Sequence, residues 1–202
     1  AINTVSIQPP LASGYNTDYR AAMDCLTEAV KTQTLSRNQS IRDEDLFRGR
    51  GVLLLGAGGV ARAIGYGLRQ RGADVAIASR TQERAEELAR SLGGRAVPWA
   101  QRHDLRVGIL VNCTPIGMHP DTDRSPYLAE KLHSDAIVFD TVYTPEQTLF
   151  IKDAKNKGCF VINGLDMFVR QAAYQYKLFT GLEPPSRLMR DTVKRLTSPV
   201  RY

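Results

Sequence analysis

Short apolar runs alternate with amphipathic stretches along the chain from residue 51 onward. The runs 52–55 and 75–78 are continuously apolar, which is typical of strands buried on both faces of a parallel sheet. Between them, apolar residues recur at helical spacing as far as Arg71, and Gly72 then ends the helix. Strands that alternate with helices predict a mostly parallel sheet with helices on both faces.

The same pattern continues along the chain and predicts about six strands. They are expected at residues 52–55, 75–78, 96–97, 107–112, 136–140 and 160–162. After the helix that ends near Arg71, further helices are expected at about 82–92, 146–157, 165–180 and 185–196. The predicted fold class is α/β, with a doubly wound parallel sheet and C-terminal helices.

The first 50 residues follow a different pattern. Residues 1–17 are extended and rich in turn residues, and apolar residues then recur at helical spacing from about 18 to 32. Asp18 is placed to begin or to cap this helix. Residues 36–50 are polar and charged, so we expect a linker or a surface loop there.

Length and composition indicate a globular chain of one domain, or of one domain and a short additional piece. The 202 residues are 43% hydrophobic and 24% charged, values typical of a folded protein with a substantial core. No apolar stretch approaches the roughly 20 residues of a membrane span, and the N-terminus does not resemble a signal peptide. Because the chain lacks a starting Met, we expect it to be a piece of a longer protein.

Charge and cysteine usage narrow the candidate ligands. The net charge is +6, but the basic residues are scattered, so we expect no nucleic-acid partner. A positive balance suits an anionic small molecule. Cys25, Cys113 and Cys159 lack CxxC spacing. We therefore expect free thiols in a reducing compartment such as the cytoplasm, and no metal site.

A glycine-rich turn follows the first strand of the sheet and matches the pattern G-x-G-x-x-[GA]. It consists of Gly56, Ala57, Gly58, Gly59, Val60 and Ala61. The first glycine permits a tight turn, the second lets backbone N–H groups approach a pyrophosphate, and the small third residue lets helix and strand pack closely. The turn predicts a dinucleotide site in a Rossmann-type domain. The alternative is a structural turn in a domain that binds no nucleotide.

The end of the second strand favours NADP over NAD. An NAD site has an Asp or Glu there to bind the ribose hydroxyls, whereas this strand ends with Ser79, Arg80 and Thr81. Arg84 lies one helical turn later. Two guanidinium groups and two hydroxyls suit a 2′-phosphate. The alternative for Arg84 is an ion pair with a glutamate of its own helix, but such a pair does not explain the missing acid.

Seven short motifs run through the chain in a fixed order. They are Ala1-Ile2-Asn3-Thr4, Gly14-Tyr15-Asn16-Thr17-Asp18, Gly56 to Ala61, Ser79-Arg80-Thr81 with Arg84, Asn112 to Met118, Asp140 to Pro145, and Gly164 to Ala172. In this order they resemble the shikimate dehydrogenase family. The segment Lys177 to Gly181 also resembles the form that is fused behind a dehydroquinate dehydratase, as in plants.

The resemblance implies a reaction and a set of site residues. The family reduces 3-dehydroshikimate to shikimate with NADPH, a step of aromatic amino-acid biosynthesis. Asp18 is implied as one member of a Lys/Asp pair that handles the proton on the reacting oxygen. Asn3 and Gln171 are implied to bind substrate, and Tyr143 to lie beside it. The residues implied at the nicotinamide end of the cofactor are Thr114, Thr141 and Gly164.

The resemblance also divides the chain. Residues 1–35 correspond to the end of a substrate-binding domain, 36–50 to the linker, 51–181 to the NADP-binding domain and 182–202 to a C-terminal helix that packs back toward the substrate domain. The family's catalytic Lys belongs to a P-H-K-type motif upstream of A-x-N-T. We therefore expect this chain to bind NADPH but to reduce dehydroshikimate at a rate near background.

Other interpretations stay open. Asp18 suits a helix cap, Tyr143 a turn, and Gln171 a helix surface without any binding role. A non-catalytic sensor of pathway metabolites is one alternative function, and a quinate dehydrogenase is another, although such relatives often favour NAD, which Arg80 and Arg84 disfavour. In a plant the expected compartment is the plastid. The sequence does not determine the oligomeric state.

Overall fold

The computed structural model describes residues 2–197, with every side chain among them except that of Gln8. Two short strands, β1 (Thr4–Gln8) and β2 (Leu11–Tyr15), form an antiparallel hairpin. A long helix, α1 (Thr17–Ser36), follows it. The hairpin and α1 precede the main sheet, as the change of pattern near residue 51 predicts.

Six strands form one parallel sheet. They are β3 (Gly51–Leu55), β4 (Asp74–Ser79), β5 (Arg95–Pro98), β6 (Ile109–Asn112), β7 (Ile137–Asp140) and β8 (Phe160–Ile162). Their order across the sheet is β5-β4-β3-β6-β7-β8, and every neighbouring pair is parallel. The predicted doubly wound α/β fold is confirmed, with β6 and β7 beginning slightly later than expected.

Five further helices accompany the sheet. They are α2 (Gly59–Gln70), α3 (Gln82–Leu92), α4 (Leu149–Asn156), α5 (Gly164–Thr180) and α6 (Ser186–Thr197). Helix α4 begins later than predicted because Thr148 caps it, its hydroxyl accepting a hydrogen bond from the Ile151 N–H at 3.2 Å. Of the expected C-terminal stretch 182–202, residues 198–202 lie outside the described residues.

Burial of the central strand on both faces explains its continuous apolar sequence. Val52, Leu53, Leu54 and Leu55 are all 0% exposed. Alternate side chains enter different clusters, one shared with α1, α2 and α3 and the other with α4. Burial of each such side chain contributes roughly 1.5–3 kcal/mol. The core therefore fixes β3, and with it the position of the glycine turn that follows.

The order of the strands reverses at the border between β3 and β6. Strands β4 and β5 lie on one side of β3, and β6, β7 and β8 on the other. At this border Leu55 is paired with Asn112. In open α/β sheets, ligands bind outside the carboxyl ends of the strands at such a switch point. The ends of β3 and β6 therefore mark the place to look for a site.

Helix α1 is capped by a different residue from the one expected. The Asn16 side chain accepts a hydrogen bond from the Tyr19 backbone N–H at 2.8 Å. Thr17 begins the helix, and Asp18 lies inside its first turn. The prediction that Asp18 begins or caps the helix is therefore wrong. A carboxylate in the first turn still interacts favourably with the helix dipole.

The segment 36–50 is not simply the surface loop that its polar composition predicts. It contains a short 3-10 turn, Asp43–Asp45, and then Leu46 and Phe47, which are 2% and 1% exposed. Both side chains join the cluster that α1 forms with the sheet. The expectation of a linker or surface loop is wrong for these two residues, which attach α1 to the sheet domain.

The C-terminal helices pack toward the start of the chain. Helix α5 lies against α1 and β1, and α6 lies against α5. Arg190 of α6 forms an ion pair with Asp166 of α5, and the Lys194 ammonium lies 3.5 Å from the Glu146 carboxylate. Within residues 2–197, no helix has both the length and the apolar character needed to cross a membrane.

We predict that Phe47→Ala lowers the free energy of unfolding by about 3–5 kcal/mol, because it removes a buried aromatic side chain and leaves a cavity. Urea unfolding followed by circular dichroism measures this loss. Arg48→Ala is the matched control, since the neighbouring Arg48 side chain is 73% exposed. Equal midpoints for the two variants would show that the segment does not pack on the core.

Candidate dinucleotide site and adjoining polar cluster

The backbone at the first position of the glycine turn can be adopted only by glycine. Gly56 has φ +108°, a conformation that residues with a side chain rarely adopt. A Cβ at this position would lie 2.9 Å from the Cys113 carbonyl oxygen. The chain leaving β3 therefore passes directly against the chain leaving β6. This close approach joins the two strand ends at the switch point.

The next two glycines face open space at the start of α2. Gly58 is the N-cap residue and makes no side-chain capping bond, and a Cβ at Gly58 or Gly59 would meet no atom within 4 Å. Ala57 and Val60 pack partly against the core, and Ala61 is 0% exposed. The helix thus lies close to the sheet while its N-terminal N–H groups face outward. This arrangement fits a phosphate group.

Two arginines stand beside this turn, at the end of β4. Arg80 and Arg84 are exposed, and within residues 2–197 no carboxylate oxygen lies within 4 Å of either guanidinium. Glu87, a candidate partner for Arg84, instead lies 3.9 Å from Arg62. Ser79 accepts a hydrogen bond from the Thr81 N–H through its Oγ at 3.3 Å. The ion-pair alternative for Arg84 is therefore not seen here.

The segments that follow β6 and β7 are both held by Asn112, one through its side chain and the other through its backbone carbonyl. Its Oδ1 accepts hydrogen bonds from the Thr114 N–H at 3.0 Å and the Thr114 hydroxyl at 2.6 Å. Its backbone carbonyl accepts bonds from the Thr141 N–H at 3.0 Å and the Thr141 hydroxyl at 2.8 Å. Both threonines that the resemblance places near a nicotinamide are thus held by one residue.

A buried carboxylate lies beneath Asn112. Asp140 is 0% exposed. One of its oxygens accepts from the Asn112 amide at 2.9 Å and from the Val142 N–H at 3.0 Å, and the other accepts from the Thr148 hydroxyl at 2.6 Å. Burial raises the pKa of Asp140 to about 6, although these hydrogen bonds favour the charged form. Burial and the nearby Asp140 carboxylate raise the pKa of the Cys113 thiol.

Helix α5 begins directly against the chain that leaves β7. A Cβ on Gly164 would lie 2.3 Å from the Val142 carbonyl oxygen and 2.7 Å from that of Thr141. The Asn163 side chain caps the helix by accepting from the Asp166 N–H at 3.0 Å. Only a glycine at position 164 permits this contact between backbones. It places the start of α5 beside Thr141 at the edge of the sheet.

A second polar cluster joins the hairpin, α1 and α5. The Asn3 amide accepts from the Thr17 N–H at 2.9 Å and donates to the Thr17 hydroxyl at 2.9 Å. That hydroxyl also lies 3.4 Å from the Gln171 amide oxygen. Burial raises the pKa of Asp18, while a hydrogen bond from Asn3 opposes the increase. The structure therefore brings together Asn3, Asp18 and Gln171, the three residues that the resemblance assigns to substrate binding and proton transfer.

One face of α5 connects the two groups of residues. Gly164 lies at the sheet edge, Phe168 stacks on Tyr143 with ring centroids 4.3 Å apart, and Gln171 reaches the cluster around Thr17. These positions are three or four residues apart, so they share a side of the helix. Tyr143 is 37% exposed. Its ring stacks on Phe168, which lies between Gly164 and Gln171 along α5.

Sequence reasoning missed the residues that hold the site residues in place. These residues are Asn112, Asp140 and Thr17. A usable signal was present, because Asn112 and Asp140 are polar residues that end otherwise apolar strands at the same sheet edge. Within the described ranges, no group of three or more His, Cys, Asp or Glu side chains is placed to hold a metal ion.

The fold, the open glycine turn and the switch point define a dinucleotide-binding α/β protein. Two family models match the chain. One describes NADP oxidoreductases that depend on coenzyme F420 and covers residues 51–143. The other describes the C-terminal domain of shikimate 5′-dehydrogenase and covers residues 164–194.

Similar proteins specify the family. A shikimate dehydrogenase (NADP⁺) of Methanosarcina acetivorans is 38% identical over 203 residues, which cover 96% of this chain and 68% of that protein. The chloroplastic bifunctional 3-dehydroquinate dehydratase/shikimate dehydrogenase of Arabidopsis thaliana is 36% identical over 178 residues, 87% of this chain and 29% of that protein. The chain belongs to the shikimate dehydrogenase family.

A solved structure agrees with this assignment. The shikimate 5-dehydrogenase of Thermus thermophilus, crystallised with NADP(H) and shikimate, superposes with a TM-score of 0.76 at 34% identity. The match covers 96% of this chain and 68% of that one. The resemblance inferred from the seven motifs is confirmed.

We predict that Gly164→Ala destabilises the chain by about 2–3 kcal/mol, because the new methyl group meets backbone atoms that have no room to move. Gly59→Ala is the control, since a Cβ there meets nothing within 4 Å and alanine favours a helix. Thermal or urea unfolding compares the variants. If both melt like the parent chain, α5 does not depend on this close approach.

We predict that Asp140 makes folding less favourable as the pH rises. Its pKa is about 6 in the folded chain, above the ordinary aspartate value of 3.8. The folded form therefore keeps the proton to a higher pH and loses stability relative to the unfolded form as the pH rises through this interval. Relative to Asp140→Asn, the parent chain should lose about 2 kcal/mol between pH 4.5 and 7.5. Urea unfolding at both pH values measures this, and a difference that does not change with pH contradicts the prediction.

Proposed function

We propose that this chain is the NADP-binding part of a shikimate dehydrogenase, an oxidoreductase that reduces 3-dehydroshikimate to shikimate. The observation that carries the proposal is the open glycine turn at the β3–β6 border, with Arg80 and Arg84 beside it and no acid at the end of β4. A pyrophosphate fits the first feature and a 2′-phosphate the second. Membership of the family supplies the reaction.

The described residues fit each part of NADP. The pyrophosphate is assigned to residues 56–60, among which Gly58 and Gly59 leave open space. The 2′-phosphate is assigned to Ser79, Arg80, Thr81 and Arg84. The guanidinium groups of the two arginines make no ion pair within residues 2–197. The nicotinamide end is assigned to Thr114, Thr141 and Gly164, which lie at the ends of β6 and β7 and the start of α5.

The substrate side is assigned to the cluster around Thr17. Asn3 and Gln171 present amide groups that suit the hydroxyls of a polyol, because each unpaired hydroxyl in a site costs affinity. Tyr143 is assigned a place beside the substrate, and its stacking on Phe168, midway between Gly164 and Gln171 on α5, supports this assignment. These assignments rest on the family motifs and on the proximity of the residues in the structure.

Asp18 is assigned to proton transfer. When bound, NADPH supplies hydride to the ketone carbon of the substrate, and a proton must then reach the oxygen. A carboxylate in the position of Asp18 holds a neighbouring lysine cationic and oriented for that transfer. The first lysine in this sequence is Lys31, and the chain contains no P-H-K motif. We therefore expect the 202-residue chain to bind NADPH with turnover near background.

The remaining assignments follow the relatives. A dehydroquinate dehydratase domain upstream is proposed as a fused partner, the arrangement named in the Arabidopsis relative. The proposed compartment is the cytoplasm, or the plastid if the source is a plant. The alternatives of a metabolite sensor and a quinate dehydrogenase have no specific observation in their favour, since Asn3, Asp18, Arg80 and Arg84 are all present.

We predict that Arg80→Ala weakens NADPH binding by about 10- to 100-fold, the loss expected for a charge-assisted contact to phosphate. NADH binding should change by less than about threefold, since NADH lacks the 2′-phosphate. Calorimetric titration of the 202-residue chain measures both. Arg90→Ala, another exposed arginine near the end of α3, is the control. Equal loss for the two cofactors would contradict the NADP assignment.

A further inference from the structure

The Asn112 side chain uses all of its hydrogen-bonding capacity. Its amide nitrogen donates to Asp140 at 2.9 Å and to the Ile116 carbonyl at 3.2 Å, while its oxygen accepts twice from Thr114. If the amide flipped, its oxygen would face two acceptors and its nitrogen would face two donors. Asp140 and the Ile116 carbonyl therefore select the orientation in which the amide oxygen holds Thr114.

Asp140 connects the Asn112 amide to the segment that follows β7. The same oxygen that accepts from Asn112 also accepts from the Val142 N–H at 3.0 Å, immediately after Thr141. The other oxygen accepts from Thr148 at the start of α4. No buried side-chain nitrogen or oxygen among the described residues lacks a partner. The segments after β6 and β7 are thus fixed to each other through one carboxylate that does not reach the surface.

We propose that Asp140 is a positioning residue for the nicotinamide half of the cofactor, acting through Asn112 on Thr114 and through Val142 on Thr141. This inference rests on the proposed NADP function. Asp140 itself is 0% exposed, so it presents no surface to a ligand and can act only through its neighbours. Its removal therefore affects the nicotinamide end of the cofactor first. Arg80 follows β4, away from this network, and the glycine turn stays attached to the fully buried strand β3.

Two ligands separate this role from a general loss of structure. Adenosine 2′,5′-bisphosphate carries the 2′-phosphate and lacks the nicotinamide half, whereas NADPH carries both. The dissociation constant of the bisphosphate divided by that of NADPH reports the contribution of the nicotinamide end. Both constants are measured calorimetrically with the 202-residue chain at pH 7.5. Asp140→Ala should lower this ratio by about tenfold and leave binding of the bisphosphate within about twofold of the parent chain.

Three further variants make the test specific. Asp140→Asn should restore the ratio, since its amide oxygen accepts from Asn112 and Val142 and its nitrogen faces the Thr148 hydroxyl. Thr148→Val removes the partner of the other carboxylate oxygen and the cap of α4, and it leaves the bonds to Asn112 and Val142 in place. It should therefore lower stability without changing the ratio. Asn112→Ser breaks the same connection from the other side. It should reproduce the loss, and it serves as the test if Asp140→Ala does not fold.

The outcomes distinguish the two proposals. If the parent chain binds neither ligand, the proposed NADP function fails. In a second outcome, the parent chain binds NADPH no more tightly than it binds the bisphosphate, and in a third, Asp140→Ala weakens the binding of both ligands equally. In either of these cases the cofactor function stands and the positioning role is overturned. Loss of the ratio in Asp140→Ala and Asn112→Ser, with its recovery in Asp140→Asn, supports the positioning role.

Discussion

The structure depends on two places where backbone meets backbone without a side chain between them. Gly56 brings the end of β3 against the Cys113 carbonyl, and Gly164 brings the start of α5 against the Val142 and Thr141 carbonyls. Both contacts lie at the carboxyl edge of the parallel sheet, one at the switch point and one two strands away. Because neither position has space for a Cβ, the turn, the loops and the first residues of α5 keep fixed relative positions. The candidate site is built on this frame.

The features that the sequence predicts well are those that local pattern determines. The buried strands are apolar on both faces, so their runs are visible without any knowledge of the neighbours. Gly56, Gly58 and Ala61 follow such a run and begin a helix, which is the context that gives the motif its meaning. The absence of an acid after β4, together with Arg80 and Arg84, is likewise a property of a few adjacent residues. These predictions needed no long-range contact.

The features that were missed depend on residues far apart in the chain. Little near Phe47 indicates that it packs beneath α1, because apart from Leu46 the adjacent residues are polar or charged and the space that Phe47 fills is formed by other elements. Asn16 and Asp18 are both good capping residues, and only the backbone of the preceding hairpin decides that Asn16 takes the cap. Asp140 meets Asn112 across 28 residues of sequence. Such a pairing becomes visible only when the strand order is known.

Helix α5 also sets a length. Seven residues separate Gly164 from Gln171, which corresponds to about 10 Å along a helix axis. One end of this interval lies against the sheet edge and the other against Thr17 of α1. One continuous helix therefore sets the spacing between the sheet edge and the polar cluster. A displacement of α5 moves both of its contacts together, so the distance between them is a property of the helix and does not depend on the loops on either side.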